Sequence, residues 1–120
     1  MYTYEDAIPI LINKFPEMKT IYEEDSDYYE DIPYVFYESE FESFILKCSK
    51  NNDGERLEEI FEFVESLLSS GDEIIVNLVE VSIIESLYFE RAISNEKLLI
   101  SYFGPLTLES YEMCRQQVFW

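Results

Sequence analysis

Hydrophobic residues recur at the spacing of an α-helix along most of the chain. The clearest case is the segment 55–69, whose apolar residues fall on one helical face: Leu57, Ile60, Phe61, Val64, Leu67 and Leu68. Glutamates fill most of the other positions, so the pattern predicts an amphipathic helix with one buried face. Gly71 follows, and we expect it to end this helix in the left-handed conformation that glycine adopts readily.

The segment 73–90 is apolar almost all round, which is typical of a helix buried at the centre of a bundle. Asp72 is placed to cap this helix, whose length far exceeds the ~5–6 residues of an ordinary strand. Glu80 and Glu85 stand out, because carboxylates in a buried helix need a partner. We expect both to reach the surface or to bond tyrosine hydroxyls, and Asn77 to make structural hydrogen bonds.

Two further helices are predicted before these. The first covers residues 4–15 and is expected to stop at Pro16, because the residue before a proline avoids the helical region. The second begins at Ser39, since Ser39 and Glu42 have the spacing of a capping box, in which each side chain bonds the other residue's backbone amide. Residues 51–54 form the loop after it.

Two shorter helices complete the pattern. Ser94 is predicted to start the first of them, and Gly104 with Pro105 to end it. Thr107 is placed to cap the last helix. The chain closes on the apolar residues 118–120, which we expect to dock onto the body of the protein.

These elements predict an all-α fold, a single domain over residues 1–120 built as a bundle of five or six mostly antiparallel helices. No apolar run approaches the ~18 residues of a transmembrane helix. The residues after Met1 lack the basic and apolar regions of a secretory signal. Cys48 and Cys114 are far apart and outside any CxxC motif, which fits reduced thiols, so we expect a cytoplasmic protein.

The segment 21–37 interrupts the helical pattern with acids and tyrosines. Pro33 makes a helix boundary nearby, and residues 34–37 fit either a short strand or the lead-in to the next helix. No Lys or Arg occurs between Lys19 and Lys47. This irregular acidic segment is the strongest functional candidate, because tyrosines supply rigid contact area and carboxylates pair with Lys and Arg of a partner.

The residues predicted to bind a partner are Glu23, Glu24, Asp25, Asp27, Tyr28, Tyr29, Glu30, Asp31 and Glu38. The same residues have an alternative interpretation: a solvated loop whose tyrosines pack against the bundle. A run of charged residues is commonly only a solvent-exposed surface without a binding role. The acidic face of the helix 55–69 is a second candidate, although every amphipathic helix has a polar face.

The net charge of −18 excludes whole classes of ligand. Nucleic acids and anionic membranes are recognised by clustered Lys and Arg, so neither is expected here, whereas a basic protein is the favoured partner. The chain has no histidine, which removes the commonest general base and zinc ligand. We therefore expect no enzyme, no metal and no cofactor; the run from Asp25 to Asp31 lacks the central glycine of an EF-hand, and Glu80 and Glu85 are the only catalytic candidates.

Three stretches of the chain resemble a known group of proteins: "PYVFYESEFESFI", "LEEIFEFVESLLSSGDEIIVNLVEVSIIESL" and "YFGPLTLESYE". Their order is similar to that of small acidic helical immunity proteins from bacterial polymorphic-toxin systems. The resemblance implies a cytosolic protein, a monomer or weak dimer, that binds and neutralises a cognate toxin domain, often a nuclease. The alternative is an acidic DNA mimic that inhibits a nucleic-acid-binding protein, which predicts rows of carboxylates at phosphate-like spacing on one long face.

Overall fold

The structure is a computed structural model that describes residues 1–90 and 96–117. Within these residues the regular elements are helical, apart from an isolated bridge between Tyr2 and Gly71, so the predicted all-α class is confirmed. The first four helices are α1 (Ala7–Lys14, entered through the 3-10 turn Tyr4–Asp6), α2 (Pro16–Glu24), α3 (Ser26–Tyr29) and α4. Helix α4 runs over residues 33–50 as α-helical Pro33–Phe36, π-helical Tyr37–Phe41 and α-helical Glu42–Lys50.

The second half follows the predicted order more closely. It contains α5 (Gly54–Ser70), α6, α7 (Glu96–Ile100) and α8 (Pro105–Gln117). Helix α6 covers residues 73–90 as α-helical Glu73–Val79, π-helical Glu80–Glu85 and α-helical Ser86–Glu90. The described residues thus form eight helices, more than the five or six expected.

Two helices were not predicted: α2 starts at a proline, and α3 starts at Ser26. Pro16 does end α1, but it is also the first residue of α2, and Pro33 is the first residue of α4. Proline suits this position because its missing N–H would have no intrahelical acceptor there. The prediction that residues 21–37 are irregular is therefore wrong, as is the strand considered for residues 34–37.

Some predicted caps form and others do not. The predicted cap at Asp72 forms, because its carboxylate accepts from the Ile75 amide at 2.9 Å. Asp53, which was predicted to lie in a loop, also caps a helix: its carboxylate accepts from the Arg56 amide of α5 at 3.2 Å. The capping box of Ser39 is wrong, because this residue lies inside α4 and its hydroxyl donates to the Val35 carbonyl at 2.7 Å.

Two other expectations about helix ends need correction. Thr107 lies inside α8, which begins at Pro105, and does not cap it. Gly71 ends α5 with φ −85°, not in the left-handed region. It is needed for space instead, since a Cβ there would lie 2.5 Å from the Leu67 carbonyl oxygen. The predicted cap at Ser94 and the docking of residues 118–120 lie outside the described residues.

Helix α6 supplies much of the core, as predicted. Its buried side chains are Ile75, Leu78, Val79, Ser82, Ile83, Ile84, Leu87 and Tyr88. Across the core, the ring of Phe15 contacts those of Phe41 and Phe63 at 5.6 and 5.5 Å between centroids. Each such burial stabilises the fold by roughly 1.5–3 kcal/mol before the entropy cost, which offsets the self-repulsion of a strongly acidic chain.

The N-terminal helices are fixed to this core by polar contacts as well. The buried Tyr37 hydroxyl donates to the Ala7 carbonyl at 2.6 Å and joins α4 to α1.

Cys48 and Cys114 are both buried and free, as expected for reduced thiols. None of the described helices is both long and apolar enough to cross a membrane.

Candidate functional site

The predicted partner-binding residues lie on the end of α2, on α3, on the following turn and on the π segment of α4. All seven carboxylates are exposed: Glu23, Glu24, Asp25, Asp27, Glu30, Asp31 and Glu38. Together with Tyr28 we call these residues the acidic surface. Some of these acids lie on helices (Glu23, Glu24, Asp27 and Glu38), and the others lie in the short turns between the helices (Asp25, Glu30 and Asp31).

The two neighbouring tyrosines have different positions. Tyr28 is 58% exposed, whereas Tyr29 is 8% exposed and belongs to the core. Tyr29 packs its ring on Phe36, 4.8 Å between centroids, and donates its hydroxyl to Glu40 Oε1 at 2.9 Å. Burial, followed by the hydrogen bond to Glu40, raises the pKa of Tyr29. Tyr29 therefore supports the acidic surface from beneath, and Tyr28 is the aromatic ring available to a partner.

Backbone hydrogen bonds hold the acidic surface in a defined shape. The Tyr29 amide donates to the Asp25 carbonyl at 3.2 Å, and the Ile32 amide donates to the Tyr29 carbonyl at 3.0 Å. Below them, the rings of Tyr22 and Phe36 meet edge to face at 5.5 Å and connect α2 to α4. The carboxylates thus lie on packed helices and on the short turns between them, which lowers the entropy cost of presenting them to a partner.

The charge of the acidic surface is not neutralised by the described residues. Their ion pairs lie elsewhere and join Arg56 to Glu17 and Glu59, and Arg115 to Glu96 and Glu112. Burial raises the pKa of Tyr22, and the carboxylates of Glu30, Asp31 and Asp27 raise it further. The negative potential of these carboxylates therefore reaches the neighbouring Tyr22, and it is available to attract cations.

An open groove of about 500 Å³ borders the acidic surface. It is lined by Tyr4, Glu5, Ile8, Pro9, Ile12, Tyr22, Glu30, Asp31 and Pro33. Its lining includes three acids, Glu5, Glu30 and Asp31, beside apolar and aromatic side chains, so the groove suits an apolar side chain that lies next to a basic one. Sequence reasoning missed it, because Ile12 and Pro9 come from α1 and meet the acidic residues only through tertiary packing.

Glu42 is the second residue whose environment the sequence did not reveal. It is 8% exposed, and its Oε1 has no hydrogen-bond partner in the described structure. Its pKa is raised to about 7, chiefly by burial and also by the Glu90 and Glu38 carboxylates, while the hydrogen bond with Ser86 acts in the opposite direction. The available signal was Glu38, which lies four residues before Glu42 and so places two acids on one side of the helix.

The catalytic candidates have ordinary surroundings. Glu80 and Glu85 are both half-buried, and Glu80 lines a recess of about 140 Å³ with Leu106 and Met113. Asn77 donates to the Tyr34 hydroxyl at 2.9 Å, which confirms its structural role. Among residues 1–90 and 96–117, no group of three or more Cys, Asp or Glu side chains is arranged to hold a metal ion.

A further groove of about 380 Å³ lies between α2, α4 and α5. The Arg56 guanidinium lies over the Phe15 and Phe44 rings, 5.7 and 5.9 Å from their centroids, and bonds Glu17 at 2.6 Å. Burial raises the pKa of the Cys48 thiol at its edge, which makes that sulfur a poor nucleophile. The arrangement fastens α5 to α2 and offers no reactive group.

Comparison with known proteins gives one family. The model of a family described as a domain of unknown function, DUF7674, matches residues 8–119. No curated protein and no solved structure matches the chain. The family description refers to neither toxins nor immunity, so the resemblance to immunity proteins stays a prediction. Because the match covers nearly the whole chain, the protein belongs to the DUF7674 family.

Proposed function

We propose that this protein is a cytoplasmic immunity protein that binds and neutralises a basic toxin domain through the acidic surface. One observation carries the proposal: seven exposed carboxylates without basic partners among the described residues lie, with the exposed ring of Tyr28, on α2, α3, α4 and the turns between them. Such a surface is costly to the chain that carries it, because like charges repel one another. A partner that supplies the missing cations relieves this repulsion.

The physics of the surface favours a protein as the ligand. Carboxylates accelerate encounter with a basic partner, and the exposed tyrosine supplies the aromatic contact that dominates many interfaces. The groove beside Tyr22 and Asp31 adds a concave apolar site to an otherwise polar patch. The protein acts by binding as a monomer or weak dimer, without a metal, a cofactor or a catalytic residue of its own.

Co-purification with the product of a neighbouring toxin gene tests the proposal. Reversal of three charges, in D25K/D27K/E30K, is expected to weaken the complex by about 100-fold or more, because attraction becomes repulsion at the contact. The matched control is E55K/E58K/E62K, which reverses three exposed charges on α5 and is expected to change affinity by less than about 5-fold.

Three results would contradict the proposal. The first is the absence of a complex with any neighbouring toxin domain, and the second is an equal loss of affinity in both reversal variants. The third is competition: if duplex DNA displaces this protein from a DNA-binding partner, the DNA-mimic interpretation replaces the immunity function. Raising the salt from about 50 to about 500 mM is expected to weaken the proposed complex, since exposed charges are screened.

A further inference from the structure

The open groove that borders the acidic surface lies between α1 and the turn that joins α3 to α4. Its volume of about 500 Å³ falls within the ~300–1,000 Å³ of ordinary ligand pockets. The groove is therefore large enough to receive two neighbouring side chains of a partner.

The fold holds the apolar lining of the groove in place. On α1, Ile8 is buried, Ile12 is half-buried and Pro9 is exposed. The buried Tyr37 hydroxyl bonds the Ala7 carbonyl at 2.6 Å and so fixes α1 against α4. The two sides of the groove separate only if this hydrogen bond breaks, and a preformed groove binds at a lower entropy cost.

Three carboxylates of the groove have no partner within the fold. Glu5, Glu30 and Asp31 are exposed, and in the described part of the chain none of them forms an ion pair. Burial raises the pKa of Tyr4 and of Tyr22, and the Asp31 carboxylate raises both further. The groove therefore combines apolar surface and two aromatic rings with negative charge that the fold leaves uncompensated.

This combination favours an arginine side chain over a metal ion or a lysine. Glu5 precedes α1, whereas Glu30 and Asp31 lie in the turn before α4, and no group of acids among the described residues is arranged to hold a metal ion. An arginine has an apolar stem, pairs with carboxylates through several N–H donors and stacks on aromatic rings. A lysine ammonium supplies the charge without the planar surface.

We propose that this groove receives an apolar residue and a neighbouring arginine from one segment of the basic partner. The apolar side chain lies over Pro9 and Ile12, and the guanidinium lies beside Tyr22, Glu30 and Asp31. This inference rests on the proposed function and deepens it, because it names the kind of segment that the protein recognises. Charge attracts many basic proteins, whereas the groove selects those that present an apolar residue next to the arginine.

Short peptides titrated into the full-length protein test this contact without any toxin. The probes are acetylated and amidated Ala-Leu-Arg-Ala and Ala-Arg-Leu-Ala, and at least one of them is expected to shift the amide NMR signals of Ile12 and Asp31. Replacement of the arginine by citrulline, which keeps the shape and removes the charge, should weaken binding by about 5-fold. Replacement of the leucine by alanine should weaken it by a similar factor, since less apolar surface is then buried.

Two double variants locate the contact on the protein. E30Q/D31N removes two charges from the groove and should weaken peptide binding by about 5-fold. E23Q/E24Q is the matched control, because it removes two exposed acids of the same acidic surface that do not line the groove. Its effect should stay below about 2-fold, since charges outside the contact are screened by salt.

The groove contact is refuted if neither peptide binds, if citrulline or alanine is tolerated without loss, or if both double variants lose affinity equally. These outcomes are separate from the fate of the proposed function. Peptide binding at the groove without any toxin complex would remove the immunity function and leave the groove contact. A toxin complex that E30Q/D31N and E23Q/E24Q weaken alike would keep the immunity function and remove the groove contact.

Discussion

At the junction of α5 and α8, one carboxylate is fully used by the fold, whereas on the α2–α4 side most carboxylates are not. Glu65 accepts the backbone amides of Leu106 (2.9 Å) and Thr107 (3.0 Å) and the Thr107 hydroxyl (2.9 Å). Gly104 leaves room for it, since a Cβ there would lie 2.5 Å from the Glu65 carboxylate. The carboxylates of the acidic surface have no comparable role in the fold.

This difference teaches that the number of acids in a chain does not indicate what they do. An acid whose oxygens are hydrogen-bonded within the fold contributes to stability, and its removal should lower the free energy of unfolding. An acid that is ordered but unpaired lowers stability through repulsion, and its removal should instead lower the affinity for a partner. Four variants test this contrast.

The largest effect is expected at Glu65. Its replacement in E65A leaves the first amides of α8 without their acceptor, which should lower the free energy of unfolding by about 2–3 kcal/mol. Urea denaturation followed by circular dichroism measures the change. E62A, at an exposed position on the same helix, is the control and should be nearly neutral; equal losses in both variants would remove the special role of Glu65.

The next effect is expected at Glu42 and depends on pH. Its folded pKa of about 7 lies above the ordinary 4.5, so the folded state holds a proton that the unfolded state has released. Stability therefore falls as the pH rises from about 4.5 to about 7. E42Q imitates the protonated acid and should be more stable than the parent above pH ~7, by about 1–2 kcal/mol.

Thermal melting from pH ~4 to ~8 checks this expectation, because the two curves should separate only above the ordinary pKa of a glutamate. E38Q is the matched control and should leave the pH profile of the parent almost intact. A constant difference between E42Q and the parent at every pH would show that Glu42 acts only through packing.

A smaller effect of opposite sign to that of E65A is expected at the acidic surface. D25K/D27K/E30K should stabilise the free protein by about 0.5–1 kcal/mol at low salt, because it relieves repulsion in a chain of charge −18. Urea unfolding at about 20 mM and about 500 mM salt tests this, since the gain should vanish when charges are screened. Destabilisation at low salt would mean that these acids serve the fold after all.

The smallest change in stability is expected at Tyr28. Its ring is 58% exposed, so Y28A should alter the free energy of unfolding by less than about 0.5 kcal/mol while it weakens partner binding by about 10-fold or more. Y29A is the opposite case, because Tyr29 is buried and holds Glu40. If Y28A proves as destabilising as Y29A, the two tyrosines share one structural role.

The sequence predicted the α5–α6 half of the fold well, because local signals there agree with the packing. Asp72 forms its predicted cap, and the apolar pattern of α6 matches its buried position. Residues 16–36 were predicted poorly, since proline marks a helix start as readily as a helix end. Their helices depend on contacts such as Tyr22 with Phe36, which no local pattern encodes.

The candidate site was predictable to a similar extent. Its exposed acids follow from charge alone, but the burial of Tyr29 depends on the edge-to-face contact of its ring with Phe36. Glu42 was missed because the spacing from Ser39 matched a capping motif. Its carboxyl meets the Ser86 hydroxyl of α6, which is far from Glu42 in the sequence.

The bridge at Gly71 has a consequence for how the molecule opens. The Tyr2 amide donates to the Ser70 carbonyl (2.8 Å), and the Tyr2 carbonyl accepts from the Asp72 amide (2.9 Å). These two hydrogen bonds hold the start of the chain against the turn between α5 and α6. Fraying of the first residues therefore exposes the amide of the residue that caps α6. Hydrogen exchange at residues 2 and 72 should proceed at matching rates, as one local unfolding event.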